Sequence, residues 1–213
     1  MEVNVIDAAV RFGAITVFSG FSARFAAGAV TALVGPSGSG KSTLLAAISG
    51  YQALSAGRIE LCNAEQELEP TPPDPGRVAW VPQGSNALGR RSVLDNVAIA
   101  PMSAGASLRE AREVAVEALE IVGLGAFLHR QARRLSGGEL QRVALARALA
   151  SGKELILADE PSANLDADNT DLIAGILGRL TSRATIIVAT HDPVLVSAAR
   201  TAVHMRPGVM DGA

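Results

Sequence analysis

Short runs of alternating apolar and polar residues fill the opening third of the chain, and residues 3–10, 15–18 and 29–34 are predicted as β-strands between Gly and Ala turns. Val34 leads straight into a glycine-rich segment. The spacing of Leu44, Leu45 and Ile48 then predicts a helix over 41–49, stopped by Gly50. Residues 63–76 hold Pro70, Pro72, Pro73 and Pro75, which cannot donate backbone hydrogen bonds, so a surface loop without ladder or helix bonding is expected there. A strand over 77–81 ends at Pro82-Gln83, and from Ser92 onward the pattern turns helical. The clearest helix spans 107–122: Ser107 and Glu110 have capping-box spacing, Leu108, Ala111, Ala115, Ala118, Leu119 and Val122 share one face, and Gly123 ends it. Beyond it the pattern predicts a helix from Ser136 to about 150, a strand at 154–158, a helix at 167–180, and strands at 185–189 and 201–205. Strands alternating with helices predict a mostly parallel sheet covered on both faces, interrupted by a helical stretch between Gly84 and Leu135.

Composition narrows the class. Apolar residues make up 48% of the 213 positions and charged ones 19%, the make-up of a folded domain able to bury a substantial core. A net charge of −2 supplies no basic stripe for a nucleic-acid backbone, so nucleic acid is not the expected partner. Cys62 is the sole cysteine, which rules out an intrachain disulfide and fits a reducing cytoplasm. The acidic start, Met1-Glu2-Val3-Asn4-Val5-Ile6-Asp7, lacks the features of an export signal, and no apolar run approaches the ~20 residues needed to span a bilayer. A membrane role would therefore be peripheral and through partners.

Chemistry concentrates in three places. Gly35-Pro36-Ser37-Gly38-Ser39-Gly40-Lys41-Ser42-Thr43, between strand and helix, lets backbone N–H groups turn inward on phosphate oxygens and aims a helix N-terminus at the same charge. Lys41 adds a point charge and Ser42 a hydroxyl for Mg²⁺. Lys41 and Lys153 are the only lysines in an arginine-rich chain, and a compact ammonium fits a phosphate nest where a planar guanidinium would not. Asp159-Glu160 ends the buried run 155–158, where the ligand crevice of a parallel sheet lies; Asp159 suits Mg²⁺, and Glu160 suits an attacking water. Ser136-Gly137-Gly138 opens a helix and makes a second anion site. One chain thus carries two phosphate-binding ends.

Leu135-Ser136-Gly137-Gly138-Glu139-Leu140-Gln141-Arg142, downstream of that phosphate loop and followed by Asp159-Glu160 and His191, resembles the ATPase subunit of ATP-binding-cassette (ABC) transporters over about residues 12–191. The resemblance implies a phosphate-loop NTPase core with a mostly parallel sheet, an N-terminal antiparallel β portion and a helical subdomain at about 84–140, all in one domain. It implies that ATP and Mg²⁺ are bound. Two copies, identical or paired with a related ATPase, would pack head to tail, so that Ser136, Gly137, Gly138 and Glu139 of one close over the γ-phosphate held by the other. His191 would contact that phosphate and orient the water with Glu160. Gln83 would reach Mg²⁺ and the water, and Phe12 would stack on adenine. The run 162–166, ending at Asp166, resembles the loop that crosses the dimer interface, and its Asn-Leu-Asp ending resembles ATPases of lipoprotein-releasing, macrolide-exporting and cell-division permeases.

The implied role is that of a motor on the cytoplasmic face of the membrane, driving separate integral-membrane permease subunits whose helices would dock on the insert, with residues 92–102 contributing. DNA-repair and chromosome-associated relatives are the alternative. They place a long coiled coil between loop and signature, whereas the interval from Lys41 to Ser136 is short and lacks sustained heptads. A small GTPase would need Asn-Lys-x-Asp, absent here, and a small-molecule kinase has no use for the 135–142 motif.

Overall fold

In the computed structural model, which describes residues 1–63 and 69–206, strands β1 (Glu2–Phe12) and β2 (Ile15–Phe25) form an antiparallel hairpin through a turn at Gly13. Strand β3 (Val30–Val34) runs into the glycine loop and helix α1 (Lys41–Ile48), and β4 (Ala56–Cys62) returns to pair antiparallel with β1. β5 (Val78–Val81) precedes the helices α2 (Val93–Ser103), α3 (Leu108–Ile121) and α4 (Gly137–Ala150). The chain then passes through β6 (Leu155–Asp159), α5 (Ala167–Leu180), β7 (Thr185–Thr190), α6 (Pro193–Ala198) and β8 (Thr201–His204).

Two sheets result. The first is antiparallel in the order β2-β1-β4; the second is parallel throughout in the order β5-β6-β7-β3-β8. The α/β class, the parallel core, the N-terminal antiparallel portion and the helical region all follow the expectation from sequence.

The strand period of two explains how the parallel sheet is covered on both sides. Leu155 and Leu157 of β6 point into a core shared with β1, β2 and α1, while Ile156 and Ala158 point into a second core made with α3, α4 and α5. Ile187 and Ala189 of β7 join the first core, Ile186 and Val188 the second.

Helix α3 keeps the capping box read from Ser107 and Glu110: Ser107 Oγ accepts from Glu110 N at 3.3 Å, and Ser107 N donates to Glu110 Oε2 at 3.0 Å. Ala111, Ala115, Ala118, Leu119 and Val122 of the expected apolar face are buried, whereas Leu108, the first residue of the helix, is 51% exposed.

The local differences from sequence have clear causes. β2 runs on to Phe25 because its exposed outer half still pairs with β1. The proline-rich loop is not free of ladder bonds: Thr71 exchanges both backbone hydrogen bonds with Leu61, at 2.7 and 3.0 Å, since threonine keeps the N–H that its proline neighbours lack. Asp74 and Pro75 start a short 3-10 turn that absorbs Arg77, so β5 begins at Val78. Residues 64–68 of the expected loop lie outside the described residues.

Candidate nucleotide site

Ladder register brings the chemistry together. Val34 pairs with Thr190, Ala189 with Asp159, and Ala158 with Val81, so the residues following these strands emerge side by side along one edge of the sheet. That edge is the crevice where open α/β sheets take ligands. A cavity of about 590 Å³ opens there, lined by Pro36, Ser37, Gly38, Gly40, Lys41, Ser42, Thr43, Gln83, Asp159, Glu160 and His191.

The loop from Gly35 to Gly40 has no room for side chains at key points. A Cβ on Gly35 would lie 2.6 Å from the Met205 carbonyl, and one on Gly40 would lie 2.9 Å from Val17 Cγ1. Gly40 also has φ +92°, a left-handed conformation that glycine adopts without strain. Ser39 Oγ is buried without a hydrogen-bond partner among the described residues. Lys41 is nearly buried: its Nζ donates to the carbonyls of Gly35 at 2.8 Å and Pro36 at 3.3 Å, and lies 3.7 Å from Glu160 Oε1.

Glu160 follows β6 with φ +46°, a backbone conformation that costs a non-glycine residue energy and is found where the surroundings hold it. Its N–H donates to the Ala189 carbonyl at 2.8 Å, which fixes the carboxylate between Lys41 and His191. His191 Nδ1 lies 3.1 Å from Glu160 Oε1 and 3.0 Å from Oε2. Burial pushes the Asp159 carboxyl above the usual carboxylate range; the Ser42 hydroxyl hydrogen-bonded to it acts the other way, Glu160's charge raises it further, and Lys41 opposes that rise.

Among the described residues no cluster of three or more His, Cys, Asp and Glu side chains could hold a metal. Mg²⁺ does not require one: it is usually held by one or two carboxylates together with waters and substrate phosphates. The carboxylate of Asp159, the hydroxyl of Ser42 and the amide oxygen of Gln83, all lining one cavity, are hard donors of that kind.

The remaining candidates lie elsewhere. Ser136 caps α4, accepting from Glu139 N at 3.2 Å while Glu139 Oε2 accepts from Ser136 N at 2.7 Å. Gly137 and Gly138 form the first turn. Asp166 caps α5, accepting from Asn169 N at 2.9 Å and Nδ2 at 2.8 Å, and the Asn169 backbone hydrogen bond holds its carboxyl below the usual range. Ser136, Gly137, Gly138, Glu139 and Asp166 do not line the cavity of their own chain. Phe12 sits at the tip of the first hairpin, 52% exposed, and also lies off the cavity lining, where Val17 stands instead.

Val17 and Met205 escaped sequence reasoning, because only the tertiary fold folds β2 and the end of β8 against the glycine loop. A link between loops was equally hidden: Ser162 Oγ donates to Asp192 Oδ2 at 2.9 Å, tying the 162–166 run to the residue after His191.

Known proteins share this architecture. The profile of the ABC transporter family matches residues 18–163. The lipoprotein-releasing system ATP-binding protein LolD of Anaeromyxobacter dehalogenans is 40% identical over 205 residues, covering 92% of this chain and 86% of that protein. LolD of Hyphomonas neptunium is 39% identical over 186 residues, covering 84% and 82%. Among solved structures, the dimeric post-hydrolysis form of the ATP-binding cassette MJ0796, bound to ADP and Pi, superposes with a TM-score of 0.79 at 27% identity, covering 96% of each chain.

Proposed function

We propose a division of labour among the residues of this chain from the premise that it belongs to the ABC transporter family and is an ATP-binding, ATP-hydrolysing transporter subunit. Subunits of this kind work as dimers with membrane permeases, and no helix among the described residues is long and apolar enough to cross a membrane.

The loop from Gly35 to Thr43 takes the triphosphate on its backbone N–H groups and on the N-terminus of α1. Lys41 exchanges the Gly35 and Pro36 carbonyls, to which it now donates, for phosphate oxygens. Ser42, Asp159 and Gln83 hold Mg²⁺, which when bound neutralises phosphate charge. Glu160 accepts a proton from the attacking water. His191, within hydrogen-bonding distance of that carboxylate, orients it toward the water and contacts the γ-phosphate. Phe12 offers its exposed ring to adenine.

The observation that carries the dimer is the separation of two anion sites within one chain. Ser136, Gly137, Gly138 and Glu139 form a helix N-terminus that has no part in lining the cavity of Lys41 and Glu160, so they serve a second copy packed head to tail. Asp166 meets that copy across the same interface. The permease docks on the helical subdomain, where Leu88, Ile99 and Met102 expose apolar surface on and beside α2. The LolD relatives and the Asn-Leu-Asp ending of the 162–166 run favour a permease of the lipoprotein-releasing kind, with the chain peripheral on the inner face of the membrane.

The test uses two variants. Glu160→Gln should bind ATP, lose at least a hundredfold in turnover and run as a dimer with ATP by light scattering. Ser136→Arg should bind ATP as tightly as the parent, yet neither dimerise nor hydrolyse. A Ser136→Arg protein with parental turnover, or a Glu160→Gln protein that stays monomeric with ATP at every concentration, would overturn the head-to-tail arrangement.

A further inference from the structure

A second cavity, about 540 Å³, lies on the helical side of the molecule where the ends of α3 and α5 meet α4. Its floor is apolar, with Val122, Ile176 and Leu180 buried, and Leu172 stands on its rim 48% exposed. Three arginines line it: Arg142 from α4, Arg179 from α5, and Arg183 just beyond α5. Facing them on the lining is one carboxylate, Glu120.

Among the described residues each guanidinium donates through a single nitrogen. Arg142 Nη1 donates to the Val122 carbonyl at 3.2 Å, Arg179 Nη2 to the Ile121 carbonyl at 3.2 Å, and Arg183 Nη2 to Glu117 Oε1 at 2.6 Å. Those bonds fasten the C-terminal end of α3, where cations are favoured. They leave most of the donors of three guanidiniums unused, and Arg142 Nε is buried with no partner among the described residues. A buried N–H left unpaired costs free energy, and a planar guanidinium presents its remaining donors in a fork matched to carboxylate and phosphate oxygens. Glu117 and Glu120 balance two of the three positive charges, so the cavity keeps a net positive charge suited to an anion. Purely structural ties between helices would not account for a cavity kept open among them, with Leu172 exposed at its rim.

We propose that this cavity is a binding site for a small anion with an apolar body, its carboxylate or phosphate held by Arg142, Arg179 and Arg183 and its apolar part laid against the exposed side chain of Leu172. The site joins α3 and α4, the latter capped by Ser136, to α5, which is capped by Asp166. An occupant therefore fastens the helical region to the core and sets how freely the Ser136 end of α4 moves, which makes the site regulatory. That last consequence rests on the function proposed above; the binding itself does not.

Calorimetric titration of the full chain, with Mg-ADP at saturation so that the 35–43 loop is occupied, tests the site with phenyl phosphate, benzoate and the neutral benzyl alcohol. Phenyl phosphate or benzoate should bind saturably and benzyl alcohol should not; which anion binds more tightly separates a phosphate from a carboxylate ligand. Leu172→Asp, an exposed change that adds negative charge at the mouth, should weaken the anions at least tenfold with ADP affinity unchanged, and Arg183→Ala should do the same. No saturable binding, equal binding by the variants, or equal binding of benzyl alcohol would overturn the site. In the parent the bound anion should alter ATP turnover at least twofold and in Leu172→Asp it should not; turnover untouched in a protein that binds the anion would overturn the regulatory role alone.

Discussion

Asn169 occupies the space that a side chain on Gly138 would need: a Cβ added to Gly138 would lie 2.5 Å from Asn169 Cγ and 3.1 Å from its Cβ. The first turn of α4 is thereby pressed against the first turn of α5, and Asn169 cannot simply swing aside, because its amide and backbone N–H both donate to Asp166.

Gly138→Ala should accordingly destabilise the protein. Alanine gains about 1 kcal/mol of helix propensity over glycine, but overpacking against a fixed neighbour costs about 1–3 kcal/mol, so a net loss of about 1 kcal/mol is expected in urea denaturation. Adding Asn169→Gly should recover part of that loss. A double-mutant cycle with no coupling between the two positions would show that the contact carries no energy.

Asn96 supports a second prediction. Its fully buried amide accepts from Leu88 N at 2.7 Å and Arg147 Nη2 at 3.1 Å, and donates to the carbonyls of Leu88 and Ser92. Arg147 also donates to the Asn96 carbonyl at 2.9 Å, so the stretch after Gln83 is bound to α4 through one polar knot. Asn96→Leu strands buried backbone groups and should cost about 3 kcal/mol in urea denaturation. A loss below about 1 kcal/mol would mean that water satisfies those groups.

Asp159 gives a pH dependence whose sign is fixed. Burial raises its carboxyl above the usual value, with Glu160's charge adding to the rise and Ser42 and Lys41 opposing it, so the folded nucleotide-free protein holds that proton more tightly than the unfolded chain does. Its contribution therefore favours the folded state least above the raised value: as pH climbs from the ordinary aspartate value through the raised one, nucleotide-free stability falls. Asp159→Asn should remove that fall and raise the melting temperature of the nucleotide-free protein at neutral pH, measured by calorimetry. An unchanged pH profile in the variant would show that Asp159 does not titrate in this window.

The parallel core was legible in the sequence because β6 and β7 are built on short apolar runs, 155–158 and 186–189, and the helical region because the Ser107–Glu110 box marks the start of α3. β4 was not: Ala56, Gly57 and Arg58 are exposed, and the strand exists through its pairing with β1, about fifty residues away in the chain. α6 was hidden for a related reason, since a single turn and a half capped by Asp192 is too short for periodicity to register. At the nucleotide site the motifs named the loop, the paired acids and the histidine. What they could not carry was the position of Lys41 on its own loop's carbonyls, the left-handed backbone at Glu160, or the arginines gathered around Val122. Those depend on which distant segments fold against one another.

The ladder between β6 and β7 has a mechanical consequence. Asp159 and Ala189 are register partners, and the next hydrogen bond of that ladder is made by Glu160 itself, so the backbones that carry Glu160 and His191 belong to a single stiff plate. Pulling them apart would mean tearing the sheet. A movement that keeps this ladder whole carries both backbones together.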